Sequence, residues 1–412
     1  MKRKVSARTF RLLILFLTLS APLTPPHTCA AQTTGEKDLS PRVFGEGLKR
    51  YERSAGQSHA KDSIDEEGQP EEVVRMNTLL TLLDVTVTDA SGARFIDGLT
   101  KDDFVVVEDG APQQIDSLTR GDDTARMPRS IVLIIDYSGS LLPYLDESIK
   151  AAKALVDKLA PTDEMAVVTD DVELVVGFTR NKKQLKRALD SLGKSAKHGE
   201  RGRSKQFSAL LATLKDLIDV EQKRPVIIFQ TDGDESYNLQ EPPRGGSNAK
   251  GIYYLSDIYA EVQRSRVKIY TLIPGEKLFG VSDEELLEKA RRLVRNYNEA
   301  YEQFYKQFGV RHDYEQPSDQ LILLLAGRRA QSQEAASRVA DIAGGWASFF
   351  ERPEQAAAVY ARILSDINHQ YVISYYPTNR ERDGRQRKVR VEVRNHPEYI
   401  VRGRESYYAL PQ

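Results

Sequence analysis

The run Ile131-Val-Leu-Ile-Ile-Asp136-Tyr-Ser138-Gly-Ser140 constrains this chain more than any other stretch. Five apolar, mostly β-branched residues lead straight into an acid and two hydroxyls. A short continuous apolar run of this kind predicts a strand buried on both faces, as in a parallel sheet. Leu141, Leu145, Ile149, Ala152, Val156 and Leu159 then recur at steps of three and four, which predicts a helix. Open α/β sheets bind ligands at the carboxyl ends of their strands. One carboxylate and two hydroxyls at such an end are oxygen donors suited to a hard divalent cation such as Mg2+, with Mn2+ or Ca2+ as substitutes.

A second strand of the same type ends in the same way. Pro225-Val-Ile-Ile-Phe-Gln230 is followed by Thr231-Asp232-Gly233-Asp234-Glu-Ser236. If the two strands are neighbours, Asp136, Ser138, Ser140 and Asp232 converge on one ion. Two carboxylates with hydroxyls match the usual protein share of an octahedral Mg2+ shell. The blander reading is turn and N-cap chemistry, for which Ser and Asp are favoured on local grounds alone. Asp234 and Ser236 fit loop capping better than direct ligation.

Strands and helices alternate through the middle of the chain. Strands are expected at Met165–Thr169, Val172–Val176, Val267–Ile273 and Trp346–Phe350, with a hairpin at Asp170-Asp171. Helices are expected after Asn181, over Gln206–Val220, Ile252–Arg264, Glu334–Ala343 and Pro353–His369, with a loop over Gly193–Arg203. The fold class that follows is α/β, a Rossmann-like doubly wound, mostly parallel sheet. A piece at about 276–331 interrupts the rhythm. It holds a capped helix start at Asp283, an aromatic face of Tyr297, Tyr301, Phe304, Tyr305 and Phe308, and a separate apolar piece, Leu321–Leu325.

Both flanks read as β. Leu83, Val85 and Val87 alternate with polar residues. Phe104–Glu108, a turn at Asp109-Gly110 and Gln114–Leu118 read as a hairpin. Lys388–Arg394 alternates cleanly near the C-terminus. A module of residues 76–120 is short for its own core, so strands from 383–410 are expected to complete one small β-sandwich. The α/β domain, residues 127–376, is then inserted between its halves, with Gln370–Tyr376 as its last strand.

The N-terminus has the composition of a secretory signal peptide. Lys2, Arg3, Lys4, Arg8 and Arg11 precede an apolar run from Leu12 to Leu19, and Cys29-Ala30-Ala31 offers a small-residue cleavage site. The run is short for a membrane span. Residues 1–31 are therefore expected to be removed, leaving no membrane span, the alternative being an uncleaved anchor helix, with 32–75 a flexible linker. Cys29 is the only cysteine, so disulfides and thiolate chemistry are not expected in the exported protein. Lys plus Arg (59) balance Asp plus Glu (60), which gives no basic bias toward nucleic acid.

Asp136-Tyr-Ser138-Gly-Ser140 resembles the Asp-x-Ser-x-Ser motif of von Willebrand factor type A domains, and Thr231-Asp232-Gly233 is similar to their second metal motif. The resemblance implies a metal-ion-dependent adhesion site completed by a Thr from an intervening loop. Ser204, ahead of Ala209-Leu210, stands in that place and would keep the oxygen donor. The flanks, including Asp84–Asp89, Gly98–Phe104, Gln370–Pro377 and Ser406–Ala409, resemble exported von Willebrand-related proteins common in acidobacteria. The implied function is adhesion, with the cation held by Asp136, Ser138, Ser140, Ser204 and Asp232 and taking a carboxylate from a protein partner. Two alternatives stand: a metal-independent scaffold or assembly subunit, and a Mg2+-dependent phosphohydrolase. The latter wants a general acid two residues after the Asp, where Ser138 stands. An enzyme is not expected.

Overall fold

The structure is a computed structural model that describes residues 44–45, 80–123, 128–198, 202, 204–218, 223–235, 254–306 and 317–409. The expected signal segment, nearly all of the linker, Arg201, Arg203 and Ser236 lie outside the described residues, as do the side chains of the aromatic face at 297–308. Among the described residues no helix is long and apolar enough to cross a membrane.

The strands in chain order are β1 (Thr81–Thr88), β2 (Phe104–Glu108), β3 (Ala111–Gln113), β4 (Ile115–Arg120), β5 (Arg129–Ile135), β6 (Glu164–Thr169), β7 (Glu173–Thr179), β8 (Arg224–Gln230), β9 (Lys268–Pro274), β10 (Trp346–Phe350), β11 (Tyr371–Tyr375), β12 (Gln386–Val393), β13 (Ile400–Arg402) and β14 (Ser406–Tyr408). The helices are α1 (Leu142–Lys158), α2 (Lys182–Lys197), α3 (Gln206–Asp216), α4 (Leu255–Arg264), α5 (Asp283–Lys306), α6 (Asp319–Ile342) and α7 (Ala356–Asn368).

Six strands form the central sheet in the order β10-β9-β8-β5-β6-β7. All pairs are parallel except β6 with β7, which form the Asp170-Asp171 hairpin. Successive residues of β5 point to opposite faces. Ile131, Leu133 and Ile135 meet Leu145, Ile149, Leu189 and Ile363 from α1, α2 and α7. Val132 and Ile134 meet Leu210, Ile258 and Val339 from α3, α4 and α6. That is why the run carries no polar alternation. The Asn181 side chain caps α2 by accepting from Lys183 N and Gln184 N. α2 runs to Lys197, past the expected loop start at Gly193. Gly193 sits against Ile149 of α1, where a Cβ would lie 3.0 Å from its Cδ1.

The chain ends form two further four-stranded sheets, β13-β1-β11-β4 and β14-β12-β2-β3. They enclose Leu83, Val85, Phe104, Val106, Ile373, Tyr375 and Val389 as one core. The β-sandwich built from both ends is therefore present, with two corrections. Gln370–Tyr376 does not close the central sheet. Its strand β11 lies between β1 and β4, antiparallel to both, so the domain expected over 127–376 gives up its last strand to the sandwich. The partner of β2 is β3, not Gln114–Leu118. Both turn residues between β2 and β3, Asp109 (φ 48°) and Gly110 (φ 87°), have positive φ, as a two-residue turn of this hand requires. The next strand, β4, crosses to the other sheet.

A buried polar network fastens the sandwich to the amino end of the central sheet. Arg224, at the start of β8, donates to Asp84 of β1 (2.7 Å) and to Gln370. Lys268, at the start of β9, donates to Thr86 (3.2 Å), and Tyr270 donates to Asp366 (2.5 Å). The carboxyl end of the sheet is left to the loops.

Residues 277–331 pack as a unit of their own. Leu278, Leu286 and Ala290 meet Ile322, Ala326 and Ala330, and Arg291 pairs with Asp319 at 2.7 Å. Leu321–Leu325 is not a separate piece but the first turns of α6, one helix of 24 residues. α6 ends in a Schellman motif, with Gly345 N donating to Ala340 O (2.9 Å) and Gly344 N to Asp341 O (3.1 Å). Gly344 takes the positive φ of 75°. Gly345 is required for a different reason: a Cβ there would lie 1.9 Å from the backbone oxygen of Ile269 in β9. Gly345→Ala is therefore expected to cost at least about 2 kcal/mol, since backbone cannot yield as a side chain does. A urea midpoint within error of wild type would show that β9 and β10 do not approach this closely.

Candidate functional site

β5 pairs with β6 on one side and β8 on the other. The first crossover leads from β5 to β6, and the chain later returns to place β8 on the opposite side. The carboxyl ends of β5 and β8 thus flank the point where strand order reverses, where ligands of such sheets bind. Asp136 follows directly on β5 and Asp232 stands two residues past the end of β8, and Asp136 N donates to Gln230 O at 3.1 Å.

Four of the five expected residues form one connected group. Ser138 N donates to Asp136 Oδ1 (2.8 Å). The Ser138 and Ser140 hydroxyls are 3.3 Å apart. Ser140 Oγ donates to Asp232 Oδ2 (2.7 Å). Asp136, Ser138 and Asp232 are buried, whereas Ser140 is exposed at the mouth. Ser204, with φ 54°, enters through its backbone, its N–H donating to Asp170 Oδ2 at 2.8 Å. Asp234 N donates to Asp232 Oδ1 (3.2 Å), a bond made by the Asp232 carboxylate and the backbone of Asp234.

Three further residues belong to this site and were not singled out by the sequence. Asp170 ends β6 and is fully buried. It accepts from Tyr137 N (3.2 Å) and Ser204 N (2.8 Å), tying the β5 turn to the Ser204 loop. Gly202 allows that loop to pass, since a Cβ there would fall 2.0 Å from Asp170 Oδ1. Gln206 Nε2 donates to Asp136 Oδ2 at 2.7 Å, while its Oε1 is buried without a partner. Glu235 caps α3 by accepting from Phe207 N (2.6 Å) and Ser208 N (3.1 Å). The signal for Asp170 was present: Thr169-Asp170 repeats the strand-end pattern of Thr231-Asp232 on the other side of β5.

Negative charge is crowded here. Burial first, then the carboxylates of Asp170 and Asp232, hold the Asp136 carboxyl well above the usual carboxylate range. Burial likewise raises Asp170 to about 6, although three backbone N–H groups, those of Tyr137, Ser204 and Asp170 itself, oppose it. Among the described residues no three His, Cys, Asp or Glu side chains are arranged to hold a metal by themselves. A cation here would be held by two carboxylates with hydroxyls. The all-oxygen donor set, the clustered acids and the unpartnered Gln206 Oε1 fit a hard divalent ion.

A family model of the von Willebrand factor type A domain matches residues 131–235. Among solved structures, a von Willebrand factor type A protein from Catenulispora acidiphila is 11% identical, with 81% of this chain and 75% of that one covered, at a TM-score of 0.38. The von Willebrand factor domain of the type V pili tip protein Mfa5 from Porphyromonas gingivalis is 11% identical, covering 59% and 96%, at 0.34. The manganese-loaded TRAP protein of Plasmodium vivax is 12% identical, covering 74% and 98%, at 0.32. No curated protein matches the chain. With the family match lying on the strands and turns that build the site, the chain carries a von Willebrand factor type A domain.

Proposed function

We propose that this chain is an exported protein-binding module whose site holds a divalent cation, Mg2+ or in its place Mn2+ or Ca2+, through Asp136, Ser138, Ser140, Ser204 and Asp232. The observation that carries this reading is the hydrogen-bonded chain Asp136–Ser138–Ser140–Asp232 across the ends of two adjacent parallel strands. When bound, the cation supplies an open position for a carboxylate oxygen of a protein partner. The chain's own residues set the conditions. Ser138 N–H and Gln206 hold the two Asp136 oxygens in place. Asp170 fixes the Ser204 loop beside them. Ser140 reaches the surface, where a partner would approach.

The reading is of binding rather than turnover, because Ser138 stands where a phosphohydrolase places its general acid. Export rests on the signal-like N-terminus, which delivers the site to a compartment where divalent cations and surface partners meet. Mg2+ added to chelator-treated protein is expected to raise its melting temperature saturably, and capture of cell-surface proteins is expected to need Mg2+. Asp232→Ala should abolish both. Capture that is equal in chelator and in the variant leaves the scaffold reading in its place.

A further inference from the structure

At the opposite end of the domain from Asp136, a second recess is lined by cationic side chains. A cavity of about 70 Å³ lies between the start of β1, the loop after β11 and β14. Arg266, Arg380 and Arg382 line it with Thr81, Tyr407 and a single acid, Glu381. A smaller cavity continues from it past Asp84 and Arg404. Asp84 is already paired with Arg224 at 2.7 Å. Among the described residues Arg266, Arg380 and Arg382 have no ion-pair partner. Among the described lining residues, three guanidinium groups face the one carboxylate of Glu381, so the recess keeps an excess of positive charge.

The backbone is arranged to hold Arg266 there. It has φ 52°, in the left-handed region that a long side chain rarely adopts. The Arg404 guanidinium braces both sides of that residue, donating to Gln263 O (2.8 Å) and Val267 O (3.3 Å). Burial, then the nearby Arg266, push Arg404 down to about 10, so it too is charged at neutral pH. The Tyr407 hydroxyl is committed to Glu108 at 2.8 Å, so the charged donors of the recess are its guanidinium groups.

We infer that this recess is an anion site that takes one tetrahedral oxyanion group, a phosphate or a sulfate. Guanidinium groups pair with such oxygens in a fixed fork geometry. The space suits one such group rather than an organic body, for which pockets of several hundred Å³ are usual. Three guanidinium groups offered from two chain segments present more forked donors than the two coplanar oxygens of a carboxylate can meet. A tetrahedral group presents three or four oxygens that do not lie in one plane.

The test is calorimetric titration of the protein with inorganic phosphate, sulfate, glycerol phosphate and acetate at fixed ionic strength, with thermal melts alongside. Phosphate or sulfate is expected to bind saturably, with acetate weaker. Arg266→Gln and Arg382→Gln should each weaken binding about tenfold. Arg382 is exposed on a loop, so its variant tests the site even if Arg266→Gln disturbs the fold. Arg390→Gln, at an exposed residue paired with Glu392, should bind as wild type does. Binding of glycerol phosphate but not of the free ion also supports the site and assigns it to a phosphorylated surface molecule. Heat that does not saturate, equal binding in Arg382→Gln, or acetate binding as tightly as phosphate overturns the inference.

Discussion

Asp163→Ala is expected to destabilise the protein by about 3–5 kcal/mol, the range for breaking one side of a buried ion pair. Arg129, at the start of β5, is bound bidentately by Asp163: Nε to Oδ1 at 2.9 Å and Nη2 to Oδ2 at 2.5 Å. The side chains are 2% and 0% exposed. Asp163 also accepts from Ala160 N at 2.9 Å, and Arg129 Nη1 reaches Asn368 at 2.6 Å. One pair thus joins the first residue of β5, the turn before β6 and the end of α7. Alanine leaves a guanidinium in the interior with only Asn368 to meet it. The cost comes from that stranded charge rather than from the pair's own net worth. Replacing both partners, as in Arg129→Met with Asp163→Leu, should recover much of the loss. Urea unfolding would measure each step. The idea fails if Asp163→Ala shifts the midpoint no further than Glu392→Ala, which breaks the exposed Arg390–Glu392 pair.

The residues that build the site were largely legible because two strands announce themselves in the same way. β5 and β8 are apolar runs that stop at an acid, and the strand–helix alternation around both fits buried strands of a parallel sheet. β11 was misplaced for a related reason. All five of its residues are buried, so its sequence reads alike as a parallel strand or as the middle of an antiparallel sheet. What decided its place was the availability of β1 and β4, which no local pattern records. β3 is only three residues long and contains Pro112, so no alternating pattern marks it as a strand. Pro112 is tolerated there because β3 is an edge, paired only with β2. Asp170 was read as a turn residue because turn and ligand-support chemistry use the same side chain. Gln206 and Glu235 carry no motif at all. Their roles exist only once α3 is packed against the strand ends.

Asp136→Asn is expected to reverse sign with the cation. In chelator the variant should be more stable than wild type, by about 1–2 kcal/mol, as is common when a strained functional group is neutralised. Wild-type Asp136 is buried beside Asp170 and Asp232, which together with burial raise its carboxyl. A carboxyl raised in the folded state costs stability above its unfolded range and stops costing it as pH falls to that range. The variant's advantage should therefore vanish toward pH 4 and grow as pH rises from there toward neutrality. Asparagine can also be satisfied locally. Its carbonyl accepts from Ser138 N, and its amide can donate to the unpartnered Gln206 Oε1 once that amide turns over. In Mg2+ the order inverts. A ligand at a hundred times its dissociation constant adds about 2.7 kcal/mol to the state that binds it, and only wild type keeps the full charge that the cation needs. Urea midpoints of both proteins, in chelator and in Mg2+, separate the two claims. Equal stabilisation by Mg2+ would remove Asp136 from the ligand set. A variant weaker than wild type in chelator would instead mean that the crowded carboxylates cost the fold nothing, and the case for a cation from their crowding would go with it.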